Sequence, residues 1–548
     1  MTRVPPGLRG MRAHALFVLL LAIAAPLLIG FAWQGGLSTF NDDGFSYLTL
    51  ARWMRGDPVL GAWAWQHAHF PPLFPLVLAA SGGAVDFAIA HAVVGACAVL
   101  SLVVLYRFAA HVLESNSAAA AIVALFVLTP TAWLGIKGIL SESLYLLVSL
   151  AALLWHATRV ARADPVARDR WIFGVLLALA VLTRTAGWTL VIAYLIHATW
   201  RLAHARSRGP WLAAAVPLVP VALGLGTWAA VKPGSGSAYR DQAHDMLDYW
   251  LREPARLFHD GGFTLFQGWV SSFHAQTVTE TVPAMVFGAI AAVAVAGAIV
   301  RAAANRLDGW YVLVTLPLLY FWIFPYDTTR RLLYPVFPLL LLQAAWLVLR
   351  LASAPRMRPY RRLAAAAAFL LPVALCLPAM VVLAQKAMNR TPLAGTSIAY
   401  ADILDYYLKV NEAQAREAAR QQIATFAGLE RTARETPPGA RIMWARPEYL
   451  ALLTRADPVP FEYRWDARGL AQALDDTHTD YLVLSEVYKL DRNLELRNPT
   501  QELRDIGRYG DVVIEVKLPE AGRVQFALLR IDRARLAAYL RAAGDAPH

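Results

Sequence analysis

The sequence predicts a polytopic α-helical membrane protein with about eleven transmembrane helices and a C-terminal soluble α/β domain. Three observations carry that reading. The chain of 548 residues is 57% hydrophobic and only 16% charged, well below the roughly 25% of a soluble domain, and its mean hydropathy is +0.43. Apolar stretches recur at lengths of roughly 17 to 25 residues, the length that crosses a hydrocarbon core as a helix. Beyond about residue 390 the composition turns polar and short alternating patterns replace the apolar runs. A membrane domain over 1–390 and an α/β domain over 391–548 follow.

The first span, about 13–33, follows Arg3, Arg9 and Arg12 and reads as an uncleaved first helix. Further spans centre near residues 97, 126, 149, 177, 193, 221, 291, 317, 342 and 374. Arg184 interrupts the stretch 171–202, which is therefore split into two short spans. The arginine-rich connections alternate with these spans. The N-terminus, Arg107 and the segments 159–170, 201–208, 301–306 and 350–362 fall on one side, which the positive-inside rule makes cytoplasmic. The net charge of +12 thus reports topology and not a nucleic-acid partner. The expectation is a multi-pass protein of the cytoplasmic (inner) membrane, N-terminus inside and C-terminal domain outside. Segments 34–85, 135–141, 232–280 and 325–331 then face outward with the tail. Within them, 43–55 and 72–80 read as helices lying on the membrane surface, and the aromatic-rich 232–280 loop reads as an interfacial belt.

In the tail, 400–435 reads as a long polar helix. Strands are expected at 440–445, 481–485, 512–518 and 523–531, with helices at 447–453, at 466–475 and from about 532. The turn Pro519-Glu520-Ala521-Gly522 separates the last two strands. No glycine-rich phosphate loop is present. Cys97 and Cys376 both lie in apolar segments, so no disulfide framework is available.

The polar groups that invite a chemical reading all sit on the outward side. Asp42-Asp43 follows the first span and precedes Gly44-Phe45-Ser46-Tyr47. One aspartate can cap a helix starting near residue 44; a carboxylate at a membrane surface can also deprotonate an acceptor. His67 and His69 precede Pro71-Pro72, and two such imidazoles suit a metal or a phosphate, or are ordinary surface histidines. Lys137 and Glu142 open the fourth span as either a structural ion pair or part of an outward pocket. Arg184 and Arg330-Arg331 are cations on the side where the topology bias disfavours them, so each needs a carboxylate or an anionic ligand. Asp327 is a local partner for Arg330, while Arg184 and Arg331 have none nearby in sequence. Carboxylates and cations beside a bilayer suit transfer of a sugar from a lipid phosphate to an acceptor hydroxyl or amine.

These motifs resemble the GT-C class of membrane glycosyltransferases, specifically the protein O-mannosyltransferase and aminoarabinose transferase superfamily. The resemblance spans the membrane part, to about residue 390. Asp43-Gly44-Phe45-Ser46-Tyr47 has the spacing of the family's acidic motif, although Asp42-Asp43 also matches its paired acids. Pro71-Pro72-Leu73, Ser141-Glu142, Leu182-Thr183-Arg184 and Arg331-Leu332-Leu333-Tyr334-Pro335 resemble its later motifs in order. The resemblance implies Asp43 or Asp42 as base and Glu142 as an orienting acid. It implies Arg184, Arg331, Arg330 and Lys137 around a donor phosphate, and Tyr47, His69 and Tyr334 in the pocket. It implies no definite cofactor and is compatible with a divalent metal, but the acid often preceding Pro-Pro-Leu is replaced by His69-Phe70. The implied partners are a polyprenyl-phosphate sugar donor and a lipid, glycan or protein acceptor. Two other classes remain open at this point. A lipid-linked sugar flippase would show inverted repeats and mid-span charges, and an envelope-assembly scaffold would not need the acids.

Overall fold

The computed structural model describes residues 6–33, 42–162, 164–203, 210–234, 238–274, 281–322, 326–388, 412–454, 456–461, 467–485, 506–517 and 524–544. The helices are α1 (Pro6–Trp33), α2 (Asp42–Met54), α3 (Leu73–Ser81), α4 (Phe87–Leu113), α5 (Asn116–Val127), α6 (Glu142–Trp155), α7 (Ala167–Thr183), α8 (Gly187–Ala203) and α9 (Leu218–Val231). They continue as α10 (Ala238–Arg252), α11 (Gly262–His274), α12 (Thr281–Ala303), α13 (Leu307–Phe321), α14 (Tyr326–Leu333), α15 (Phe337–Ala352) and α16 (Arg361–Ala387). Every expected span centre falls inside one of these helices. Among the described residues, six helical stretches are long and apolar enough to cross a membrane: Ala13–Trp33, Phe87–Leu113, Glu142–Val160, Leu212–Val231, Ala284–Ala303 and Arg362–Ala387. Shorter apolar helices, α5, α13 and α15, accompany them. The protein is a multi-pass membrane protein.

Local sequence sets the helix boundaries. The Asp86 carboxylate accepts from the Ala88 and Ile89 N–H groups at the start of α4, and the Ser115 hydroxyl accepts from Ala118 at the start of α5, each satisfying orphan donors of a first turn. Between α7 and α8 the chain turns within three residues. Arg184 is extended, and Gly187 lies so close to the backbone of Ala180 and Val181 that a Cβ would overlap it. The segment 232–280, expected as an outward loop, contains α10 and α11. The aromatic residues that mark it as interfacial are also spaced on helical faces. In α11, Trp269 and Phe273 are buried and in ring contact at 4.9 Å.

The chain divides into two compact units. One comprises Met1–Gly36, Ser46–Met54 and Trp65–Lys386; the other comprises Leu37–Phe45, Arg55–Ala64 and Ala387–His548. The second unit carries α17 (Glu412–Glu435), β1 (Arg441–Trp444), α18 (Pro447–Leu453), β2 (Asp457–Pro460), α19 (Ala467–Asp476), β3 (Tyr481–Ser485), β4 (Gly510–Lys517), β5 (Val524–Ile531) and α20 (Arg533–Gly544). Its sheet runs in the order β2-β1-β3-β5-β4, with β1 parallel to β2 and β3 and with β5 antiparallel to β3 and β4. Strand β2 was not expected from sequence. Its Asp-Pro-Val-Pro composition argues against a strand, but β2 occupies the sheet edge, where proline is tolerated. The expected residues 400–411 and the 519–522 turn lie outside the described residues. The core on one side of the sheet is built from Ile442, Trp444, Tyr449, Leu450, Phe526 and Leu528, and it includes Phe45, contributed from the other end of the chain. The Phe45 and Tyr449 rings lie 3.7 Å apart between centroids.

Phe45→Ala therefore removes a core side chain of the C-terminal unit, at an expected cost of about 3–5 kcal/mol to that unit. Limited proteolysis in the presence of urea reads this directly. Cleavage of the C-terminal unit at unchanged urea would show that Phe45 is not part of its core.

Candidate functional site

The site is built around the start of α6. Glu142 is its first helical residue and is fully buried. A carboxylate in a first turn is favoured by the helix dipole, but one buried at a membrane depth needs cationic partners. Two guanidiniums supply them. Arg184 Nη1 lies 2.7 Å and Arg331 Nε 2.8 Å from the same Glu142 oxygen, Oε1. The missing local partners of Arg184 and Arg331 are thus one distant carboxylate. Glu142 Oε2 accepts no hydrogen bond among the described residues.

Each arginine is delivered by a specific local structure. Arg184 sits in the α7–α8 turn, where its carbonyl accepts from Gly187 N–H at 2.8 Å. Tyr145, one turn along α6 from Glu142, donates to the Ala186 carbonyl at 3.1 Å and shares a 2.9 Å hydroxyl contact with Tyr311. Arg331 lies near the end of α14, where the Tyr334 N–H returns to the Arg330 and Arg331 carbonyls at 3.1 and 3.2 Å. Tyr334 is buried, and a Cβ on Gly135 would meet its ring at 2.5 Å, so only glycine admits the chain between Pro130–Leu134 and α6 that close. Ser141 caps nothing with its side chain. Its hydroxyl instead receives Arg184 Nη1 at 3.2 Å and meets the Tyr47 hydroxyl at 2.8 Å. Tyr47 is held edge-on by Phe70 and Phe74, each at 5.1 Å.

Of the residues singled out in the sequence, the structure brings Tyr47, Glu142, Arg184 and Arg331 into one network through Ser141. Tyr334 packs beside it as the residue that ends the α14 turn. Lys137 is buried, its ammonium 5.0 Å from the Phe31 ring centroid. Arg330 is buried, and its Nη1 has no hydrogen bond among the described residues; the Asp327 side chain lies outside them. His69 is half-buried and stacks against Phe70 at 4.4 Å. Burial, with a smaller contribution from His69, lowers His67 to about 4, so this imidazole adds no charge at neutral pH. Among the described residues no group of three or more His, Cys, Asp or Glu gathers as a metal site. The helix carrying the paired aspartates starts at Asp42 rather than near 44, so both lie in its first turn and the capping position falls on Asn41, outside the described residues. Asp43 is half-buried and one turn before Tyr47 on the same helical face. Sequence reading missed the bridging role of Ser141 and the bracing role of Tyr145, although Tyr145 shares the α6 face of Glu142 by its spacing.

No protein-family model matches the chain, and no curated protein matches it. Solved structures match its fold. Apo ArnT from Cupriavidus metallidurans superposes with a TM-score of 0.54 at 13% identity, covering 94% of this chain and 98% of that one. The Archaeoglobus fulgidus oligosaccharyltransferase tethered with an acceptor peptide containing the NVT sequon superposes with a TM-score of 0.51 at 13% identity, over 93% of this chain and 74% of that one. Its apo form gives 0.50 at 13% identity, over 90% and 73%. The chain has the GT-C fold.

Replacing Glu142 with Gln keeps the volume and removes the charge that both guanidiniums face. Breaking a buried pair by deleting one partner costs about 3–5 kcal/mol, reduced here because Arg331 is one-quarter exposed. The detergent-solubilised variant is expected to unfold at lower temperature than wild type. An unchanged melting curve would show that Glu142 does not organise the two arginines.

Proposed function

We propose that the chain is an inverting glycosyltransferase, which moves a sugar from a polyprenyl-phosphate donor to an acceptor on the outer side of the cytoplasmic membrane. The observation that carries the reading is the pair of guanidiniums, Arg184 and Arg331, converging on one buried carboxylate. Planar guanidinium forks are the donors that suit the oxygens of a phosphate. A phosphate placed beside them is bound in the ground state and held more tightly as charge grows on it during departure. The GT-C fold, shared with a transferase and an oligosaccharyltransferase, supports the same class.

In the reaction proposed, the Asp43 carboxylate takes the proton of an acceptor hydroxyl or amine. The acceptor atom attacks the anomeric carbon on the face opposite the phosphate. The anomeric C–O bond breaks, and its electron pair leaves with the polyprenyl phosphate, whose charge Arg184 and Arg331 stabilise. Glu142 acts through the arginines, holding both forks in place, rather than on the acceptor. Asp43 is favoured over Asp42 because it shares a helical face with Tyr47, whose hydroxyl reaches the Ser141 that also receives Arg184. Lys137 and Arg330 contribute positive potential. The flipping and scaffold readings give the first-turn aspartates no chemical task.

Asp43→Asn preserves the size and polarity of the side chain but removes the base, a loss worth about 10²–10⁴-fold in rate. Transfer to acceptor should fall by that factor while photo-crosslinking to a polyprenyl-phosphate sugar persists. Arg331→Ala should do the reverse first, weakening crosslinking, with Arg331→Lys restoring it only in part because lysine lacks the planar fork. Wild-type transfer by Asp43→Asn together with a dead Asp42→Asn would move the base by one residue; wild-type transfer by both would remove the enzymatic reading.

The proposed orientation rests on the arginine-rich connections. A periplasm-active phosphatase fused after residue 390 is expected to be active, and the same reporter fused near residue 165 to be silent. Equal activity in the two fusions would invert or break the topology.

A further inference from the structure

The opposite end of the membrane unit carries a second built site. Glu142 and His156 stand at the two ends of α6, 14 residues apart, which a rise of about 1.5 Å per residue makes about 21 Å. Around His156 opens a cavity of about 430 Å³, walled by the ends of α4 and α6, by α8, by the α12–α13 turn and by α15. This volume lies within the usual range of small-molecule sites.

Its floor is polar and buried. His156 and His197 are 3% and 5% exposed, and their rings stand edge to face at 4.8 Å. His156 Nε2 and both ring nitrogens of His197 have no hydrogen bond among the described residues. Orphaned polar atoms at this depth cost free energy unless something occupies the cavity and pairs with them. The neighbouring Arg301 is already satisfied. It grips Asp308 through Nε and Nη2 at 2.6 and 2.9 Å, and Gln343 Nε2 donates to the same carboxylate at 2.6 Å. The rim differs. Arg162, Arg306 and Arg350 line the mouth and are exposed, and among the described residues none of the three has an ion-pair partner. With Arg301, four guanidiniums face two carboxylates, Asp308 and Glu114. Such a mouth repels a metal ion and draws an anion. Arg162 and Arg306, together with Arg350, whose guanidinium lies over the Trp346 ring at 5.0 Å, stand above two buried imidazoles, and this set of donors matches the tetrahedral oxygens of a phosphate.

We propose that this cavity binds a phosphate group, at the end of the bundle remote from Glu142. The rim arginines supply ionic hydrogen bonds and the His156 and His197 imidazoles supply donors at the floor. The phosphate comes either from an anionic lipid headgroup or from a free phosphate compound, and the chemistry of recognition is common to both.

The test uses the full chain in detergent without added lipid and radiolabelled inorganic phosphate as probe. Saturable binding is expected, weakened about tenfold or more in the Arg162→Ala, Arg306→Ala double variant, as loss of charged hydrogen bonds implies. Both arginines are exposed, and the melting curve of the variant serves as the check that it folds. Repeating the titration in nanodiscs separates the sources. Loss of phosphate binding in phosphatidylglycerol discs, but not in phosphatidylcholine discs, identifies a lipid headgroup as the occupant. Retention in both identifies a free phosphate compound. Absence of saturable binding overturns the proposal. So does binding that the double variant keeps and Arg331→Ala abolishes, because that binding belongs to the Glu142 end.

Discussion

A buried carboxylate that answers two guanidiniums is the constraint on which the Glu142 end of the membrane unit depends. Glu142 is inaccessible to water, so its charge is tolerable only where cations reach it. Those cations come from the α7–α8 turn and from the end of α14. Neither segment has freedom to move independently. Gly187 is pressed on the α7 backbone, Tyr145 grips Ala186, and Gly135 is closed by the Tyr334 ring. Three separated stretches of chain, α6, the α7–α8 turn and the end of α14, are therefore registered to one carboxyl oxygen. A pair of this kind contributes little net stability compared with well-packed apolar groups. Its consequence is positional: two planar forks are fixed before any ligand arrives, so their ordering entropy does not have to be supplied on binding.

Much of the fold was legible because it is written in short-range patterns. Apolar length placed every expected span centre inside a helix, and a single charge, Arg184, marked the break between α7 and α8 that the structure contains. In the tail, period-two alternation located β1, β3, β4 and β5, and proline at a first helical position located α18. The failures have physical causes. The prolines of β2 argue against a strand only while its place at a sheet edge is unknown. The helices α10 and α11 were hidden because aromatic interfacial composition says where a segment lies and not how its backbone runs. Phe45 was not legible as a core residue of the C-terminal unit, because nothing local to it indicates a partner about four hundred residues away.

The candidate site was legible as a list of residues and not as an arrangement. Charges set in an apolar sequence stand out by composition, so Glu142, Arg184 and Arg331 were all found. Their mutual pairing was not, since sequence distance had suggested Lys137 for the carboxylate and no partner for the arginines. Ser141 was visible only as a neighbour of Glu142. Its task, joining Tyr47 to Arg184, appears once α2 and the α7–α8 turn are placed. Residues that act on ligand announce themselves by unusual chemistry in an apolar sequence, whereas residues that position them are ordinary types whose role is geometric.

The two ends of α6 show how one membrane helix can present opposite problems and opposite solutions. At its N-terminal end a buried acid is met by two guanidiniums, both held by protein. At its other end a bidentate pair, Arg301 with Asp308, is complete in itself, and the unmet demand falls on neutral imidazoles and on arginines at the rim. The first arrangement keeps strong donors fixed around a carboxylate, which suits a group whose charge changes during a reaction. The second leaves donors at the floor of an open cavity and exposed forks at its mouth, which suits a group that is held without changing. The same elementary requirement, that no charge or polar atom be left alone in a low-dielectric interior, thus yields a preorganised centre at one end of the helix and a receptive cavity at the other.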